Sequence, residues 1–155
     1  HFLEGGVTRL TPNSPWITLT EGVGHGTLLG GYLGNLALMA GSAYLPLQDC
    51  RYILFLEDHE RFSPIARVSA LIAHLEQGGL CDRVAGLLFG HYSSPVNPWL
   101  LERLRRFGQR HQVPVAYCDD FGHGDNHAIL PIGRRASLDT TGSGCLAFQD
   151  EDSHD

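Results

Sequence analysis

Three continuous apolar runs dominate the hydrophobic pattern in the middle of the chain: Tyr52–Glu57, Val84–Phe89 and Val113–Cys118. Apolar runs of this length without alternation are typical of strands buried on both faces of a parallel sheet. Between them, Ser63–Gln77 and Pro98–Arg110 carry apolar residues at helical spacing, which predicts two amphipathic helices. The β-α-β-α-β order predicts parallel strands joined by right-handed crossovers, and therefore an α/β fold.

The flanking segments have shorter patterns. Trp16–Thr20 alternates like a strand, and the six glycines of Gly22–Gly34 predict tight turns and close backbone approach. Leu33–Gly41 is predicted to form a short helix. Short strands that add a second β layer are predicted at Ala128–Ile132, Ala136–Leu138 and Cys145–Phe148. We expect one domain over residues 1–148 and a frayed acidic tail over 149–155.

Composition and charge exclude several classes of function. The net charge is −6, and all 11 basic residues are arginine, so neither a basic patch for nucleic acid nor a Schiff-base lysine is expected. Four widely spaced cysteines indicate free thiols in a reducing compartment. The chain has no apolar run long enough for a membrane span, and its first ten residues lack signal-peptide features, so we expect a cytoplasmic protein without membrane contact.

Two predicted strands are followed directly by residues that could carry chemistry. Glu57 ends the first run, and His123 lies between two glycines in the segment after the third run. Because the carboxyl ends of parallel strands meet at one edge of the sheet, the carboxylate and imidazole could act as a general base and its orienting group. Equally, Glu57 could lie in a polar loop and His123 in a turn. Asp58, His59 and Glu60 are expected to face solvent.

A metal site is an alternative interpretation of the same segment. His123 and His127 are four residues apart, with Asp119, Asp120 and Asp125 nearby. On a helix this spacing presents two imidazoles to one zinc ion. The intervening Gly-Asp-Asn favours helix poorly, however, and no CxxC or HExxH motif is present.

No serine has the setting of an activated nucleophile. Ser143 lies between two glycines but precedes a terminal strand, whereas a nucleophile elbow joins a strand to a helix. Ser63 is expected to cap a helix, and Ser14, Ser93 and Ser94 lie beside prolines. The chain thus holds an acid and a base without an attacking group.

From about Gly22 to Phe148 the sequence resembles the C-terminal domain of the LD-carboxypeptidase and microcin C self-immunity family of serine peptidases. The resemblance rests on short motifs in the family's order. They are Gly26-Thr27-Leu28-Leu29-Gly30-Gly31, Gly41-Ser42-Ala43-Tyr44, Ile53-Leu54-Phe55-Leu56-Glu57-Asp58, Arg67, Val84-Ala85-Gly86-Leu87-Leu88-Phe89-Gly90, Phe121-Gly122-His123, Leu130-Pro131-Ile132-Gly133 and Leu138-Asp139.

The resemblance implies a Ser-His-Glu triad that needs no cofactor, with Glu57 as the acid, His123 as the base, and the serine on an N-terminal domain absent from this chain. It also implies a swivelling β/β/α fold with helices on one side of a parallel sheet, a homodimer, and amide substrates: murein L,D-tetrapeptides or microcin-like peptidyl or aminoacyl nucleotides. Tyr32 and Ala66 depart from the family's usual Asn and acid, which concerns substrate contacts or the domain interface. A metal-dependent hydrolase and a non-catalytic binding module are the alternatives.

Overall fold

The computed structural model describes residues 8–149 and contains seven strands and three α-helices. The strands are β1 (Ile17–Thr20), β2 (Val23–Tyr32), β3 (Tyr52–Glu57), β4 (Val84–His91), β5 (Val115–Gly122), β6 (Arg135–Asp139) and β7 (Cys145–Phe148). The helices are α1 (Leu33–Met39), α2 (Ile65–Gln77) and α3 (Pro98–His111), and a 3₁₀ turn spans Leu80–Arg83.

All seven strands belong to one curled sheet with the order β1-β5-β4-β3-β2-β6-β7. The four central strands β2 to β5 pair in parallel, whereas β1, β6 and β7 add to the edges in antiparallel orientation. The predicted α/β class with a parallel centre is therefore confirmed. The carboxyl ends of β2, β3, β4 and β5 lie side by side, and this edge carries the candidate site.

Each face of the sheet has its own apolar core. The helices pack on one face of the sheet. There Val68 of α2, Leu104 of α3 and Phe89 of β4 are fully buried in one apolar cluster. The opposite face buries Phe55, Phe121 and further residues against side chains from the curled β6–β7 edge, which are Ala136, Leu138, Leu146 and Phe148. The central strands are therefore buried on both sides, as their continuous apolar runs predict.

The glycine-rich segment forms the long strand β2 rather than a series of turns, so that part of the prediction is wrong. A Cβ at Gly24 would lie 1.9 Å from the carbonyl oxygen of Ala85, and one at Gly30 would lie 1.8 Å from that of Phe55. The predicted close backbone approach is thus correct. Because glycine has no side chain, the hydrophobic pattern carries no strand signal here although the backbone pairs on both sides.

The expectations for residues 128–132, for the end of the third strand and for Ser63 also differ from the structure, whereas the one for the tail is not tested. Residues 128–132, all within the described part of the chain, form no strand, and β5 continues through Asp119 and Asp120 to Gly122. Ser63 makes no capping hydrogen bond, because Pro64 stands at the start of α2 and the Ser63 hydroxyl is buried. The acidic tail beyond Gln149 lies outside the described residues.

The structure bears on two predictions made from composition, the state of the cysteines and the lack of a membrane span. Cys50, Cys81, Cys118 and Cys145 are all free thiols, as expected. Across residues 8–149 the structure has no helix that is long and apolar enough to cross a membrane.

Candidate active site

Glu57 and His123, which belong to different strand ends, form a hydrogen-bonded pair. His123 Nδ1 lies 3.0 Å from Glu57 Oε2, and the two side chains are 36% and 23% exposed. When the neutral ring carries its proton on Nδ1 and donates it to the carboxylate, Nε2 becomes an acceptor. Among residues 8–149 nothing makes a hydrogen bond to Nε2, so that nitrogen is available to a group from outside.

Gly122 makes this pairing possible. It pairs with His91 in the β4–β5 ladder and has φ +101°, in the region that favours glycine. A Cβ there would lie 3.0 Å from both the N and the O of His91 and 3.2 Å from Glu57 Oε2. The backbone therefore turns at Gly122 immediately beside the carboxylate and delivers the next residue, His123, onto it.

Three rings surround the His123 imidazole. The ring centroids of His59, Tyr32 and Phe62 lie 5.7, 5.8 and 6.1 Å from it, all in tilted or edge-on orientations. Tyr32 is the last residue of β2 and stands opposite Glu57 in the ladder, whereas Phe62 is 61% exposed. His123 thus contacts aromatic neighbours on several sides while it stays accessible.

Asp58 is completely buried, so the expectation that it faces solvent is wrong; its neighbours His59 and Glu60 are half-buried and exposed. Its Oδ1 accepts a hydrogen bond from the backbone N–H of His59 at 2.7 Å. Within the described part of the chain, Asp58 Oδ2 and the Ser63 hydroxyl have no hydrogen-bond partner. Burial and the charge of Asp58 raise the pKa of the Tyr32 phenol, and the Ser63 hydroxyl opposes that rise.

A second histidine–carboxylate pair, missed by the sequence reasoning, lies next to the first. His91 Nδ1 is 2.7 Å from Asp119 Oδ1, and the Tyr117 hydroxyl donates to the same oxygen at 2.9 Å. Burial is the main cause that raises the pKa of the Tyr117 phenol, so it stays a donor. His91 ends β4, and the strand-end argument applied to Glu57 would have selected it too. Its side chain is only 12% exposed.

Two of the three aspartates expected near His123, Asp119 and Asp120, have structural partners. Both oxygens of buried Asp120 are used: Oδ1 accepts from the N–H of Asn13, the N–H of Ser14 and the hydroxyl of Ser14, and Oδ2 accepts from the indole of Trp16, all at 2.7–2.8 Å. This carboxylate fastens the segment before β1 to the end of β5. It therefore holds the backbone just before His123.

An open cleft of about 280 Å³ adjoins the pair on the sheet face opposite the helices. Its lining is Phe55, Glu57, Phe121, Gly122, His127, Ala128 and Leu130. A carboxylate, an imidazole and apolar walls at a strand edge are a common setting for a small polar substrate.

The metal alternative finds no support. His123 and His127 lie in the loop after β5 rather than on a helix, so the helical spacing that would aim two imidazoles at one ion is missing. From residue 8 to residue 149, no group of three histidine, cysteine or acidic side chains is arranged to hold a metal ion.

Serine hydroxyls are possible hydrogen-bond partners of the His123 ring, and those of Ser14 and Ser93 are engaged elsewhere. The hydroxyl of Ser14 donates to Asp120, that of Ser93 donates to the carbonyl of Pro95, and Ser143 lies in the turn between β6 and β7. In the described residues no serine hydroxyl bonds to His123.

Comparison with known protein families identifies the family of this chain. Residues 25–138 match the family described as the LD-carboxypeptidase C-terminal domain. The chain belongs to this family. A protein of Synechocystis sp. that carries a provisional carboxypeptidase name is 32% identical over 146 residues, which cover 90% of this chain and 46% of that protein. A similarly named protein of Vibrio cholerae is 29% identical, with 83% and 39% coverage.

Solved structures agree with this membership. The muramoyltetrapeptide carboxypeptidase of Oxalobacter formigenes has a TM-score of 0.71 and 28% identity, covering 93% of this domain and 49% of that chain. The microcin C7 self-immunity protein MccF, in complex with aspartyl sulfamoyl adenosine, has a TM-score of 0.69 and 26% identity, with 91% and 42% coverage. The domain thus spans about half the length of the relatives it matches.

Proposed function

We propose that this domain supplies the acid and base of a Ser-His-Glu triad in an amide-cleaving serine hydrolase, with Glu57 and His123 in those roles. The observation that carries the proposal is the 3.0 Å contact between His123 Nδ1 and Glu57 Oε2. It joins two residues that are 66 positions apart and leaves Nε2 without a partner in the described chain. A base held at one nitrogen and free at the other is the arrangement that nucleophile activation needs.

The chemistry then follows from the two nitrogens. Nε2 takes the proton of a serine hydroxyl as its oxygen attacks the amide carbonyl carbon, and the imidazolium returns that proton to the leaving amine. Glu57 keeps the proton on Nδ1 and stabilises the positive ring while the intermediate exists. Nε2 then deprotonates a water whose oxygen attacks the acyl carbon, and the imidazolium returns that proton to the serine oxygen as its bond to the acyl group breaks. Glu57 itself needs to gain no proton at any step.

The serine and the groups that stabilise the oxyanion come, in this proposal, from an N-terminal domain of the same polypeptide. Two observations support it: the domain covers only about half of its relatives, and its own serines lack the setting of a nucleophile. The 155-residue chain alone is then inactive. Residence in the cytoplasm and a homodimer stay predictions.

The substrate is a murein L,D-tetrapeptide or a microcin-like peptidyl or aminoacyl nucleotide. One structural neighbour is named a muramoyltetrapeptide carboxypeptidase, and another was solved with an aminoacyl sulfamoyl nucleoside. The residues after β5 do not separate the two classes.

The test is an assay of the full-length protein with both substrate classes, beside the 155-residue chain at equal concentration. We expect the full-length protein to cleave one class and the chain alone to cleave neither. Cleavage by the chain alone would contradict the proposal, because an attacking group would then lie within it. Loss of either triad member should lower kcat by about 10⁴-fold, whereas loss of simple substrate binding would raise KM.

A further inference from the structure

Tyr32 is the ring whose placement beside His123 is most firmly fixed by the fold. Its backbone lies in the β2–β3 ladder opposite Glu57, and it is also the N-cap residue of α1. Its ring lies over Gly34, where a Cβ would come within 3.0 Å of the ring carbon Cε1. The ring therefore has a backbone anchor at one end and a close surface beneath it.

The phenol end of the same side chain points toward buried polar groups. Asp58 and Ser63 both act on the Tyr32 hydroxyl electrostatically, and each has one oxygen that lacks a hydrogen-bond partner among the described residues. Buried polar atoms without partners are commonly satisfied by an internal water or a small local shift.

The imidazole, in contrast, makes a single hydrogen bond within residues 8–149. A single contact to Glu57 fixes Nδ1 but leaves rotation about that axis open, and the His123 side chain is 36% exposed. Of the three rings around it, Phe62 is itself 61% exposed, whereas Tyr32 is only partly exposed. His59 is also half-buried, but it lies in the loop after β3, whereas Tyr32 belongs to the β2–β3 ladder. Tyr32 is thus the neighbouring ring whose backbone is fixed by strand pairing.

We propose that Tyr32 is a positioning residue for His123: its ring, anchored opposite Glu57, seated over Gly34 and placed beside Asp58 and Ser63, holds the imidazole so that Nδ1 stays on Glu57. Tyr32 takes no part in bond making. This inference deepens the proposed function and rests on it, since positioning has a catalytic consequence only if His123 is the base. A misplaced base is costly because proton transfer needs a reach of about 3 Å.

The test reads the ring nitrogens of His123 by two-bond ¹H–¹⁵N NMR of the 155-residue chain, which distinguishes the Nδ1–H from the Nε2–H tautomer without any activity. We expect mainly Nδ1–H in the wild type. Tyr32→Ala should lower the ratio of the two tautomers severalfold, and Tyr32→Phe, which keeps the ring, should fall between. Tyr44→Ala is the matched control, because Tyr44 is 88% exposed, and it should match the wild type.

A wild-type ratio in Tyr32→Ala would overturn the inference, and so would a Tyr32→Phe ratio equal to that of Tyr32→Ala. If Tyr32→Ala does not fold, Tyr32→Leu, which retains apolar volume over Gly34, takes its place with the same expectation. In the full-length enzyme Tyr32→Ala should lower kcat by about ten- to a hundredfold with little change in KM. An unchanged kcat in His123→Ala, together with the expected NMR result, would refute the proposed function but not the positioning.

Discussion

Replacing Gly122 with alanine should damage stability and the candidate site together. The backbone there has φ +101°, which costs a residue with a Cβ about 1–2 kcal/mol. The new methyl group would also lie 3.0 Å from backbone atoms of His91 and 3.2 Å from Glu57 Oε2. Backbone atoms cannot swing aside, so overpacking adds about 1–3 kcal/mol. We expect a total loss of about 2–5 kcal/mol in the free energy of unfolding.

The assay is urea unfolding of the 155-residue chain, with Gly133→Ala as the matched control. Gly133 has φ +90°, and a Cβ there would meet nothing within 4 Å, so this variant has the conformational cost without the clash. The difference between the two variants isolates the contact beside Glu57, at about 1–3 kcal/mol. Gly122→Ala should also shift the His123 ring signals in NMR. Equal losses in both variants, with unchanged His123 signals, would refute the reasoning.

Two further predictions concern the supports of the fold. The side chain of Glu76 in α2 is 10% exposed; it accepts a hydrogen bond from Arg103 at 2.8 Å and lies 2.9 Å from His111 Nε2. Burial alone would raise the pKa of Glu76, but the hydrogen bonds and charges of these partners outweigh it, so the pKa is lowered. Glu76→Gln should lower the free energy of unfolding by about 1.5–3 kcal/mol at neutral pH. The difference from the wild type should shrink as the pH falls through the lowered pKa of Glu76, because the wild-type carboxylate then becomes protonated. A difference that grows in acid would contradict this. Asp120→Ala should cost more than about 2 kcal/mol and change Trp16 fluorescence, with Asp120→Asn between; an unchanged urea midpoint would exclude the fastening role.

The candidate pair could be predicted because strand-end position is visible in the sequence. Continuous apolar runs mark buried parallel strands, and residues directly after such runs gather at one edge, which selected both Glu57 and His123. The same reasoning failed for Asp58, which was assigned to solvent and is fully buried. Tyr92 of the β4–α3 loop lies close to Asp58: burial and the charge of that carboxylate raise the pKa of the Tyr92 phenol, whose hydroxyl donates to the Ser63 carbonyl at 2.7 Å. No local pattern in the sequence encodes such long-range packing.

The parts of the fold that the sequence did not predict depend on tertiary contacts. β2 has almost no hydrophobic period, and only the closeness of the β3 and β4 backbones shows why Gly24 and Gly30 occupy it. Conversely, Ala128–Ile132 has strand-like composition but finds no partner strand, since Ala128 hydrogen-bonds back to Asp120. Pairing partners, rather than intrinsic preference, decide short strands of this kind.

Of the two neighbouring histidines, we propose His123, and not His91, as the base. Both make a carboxylate contact, His91 with Asp119 at 2.7 Å and His123 with Glu57 at 3.0 Å, but the His123 side chain is 36% exposed and that of His91 only 12%. The most direct measurement is kcat of the full-length protein with His123→Ala beside His91→Ala. We expect kcat to fall about 10⁴-fold in His123→Ala and less than about tenfold in His91→Ala. The reverse order, or an unchanged kcat in His123→Ala, would contradict this proposal.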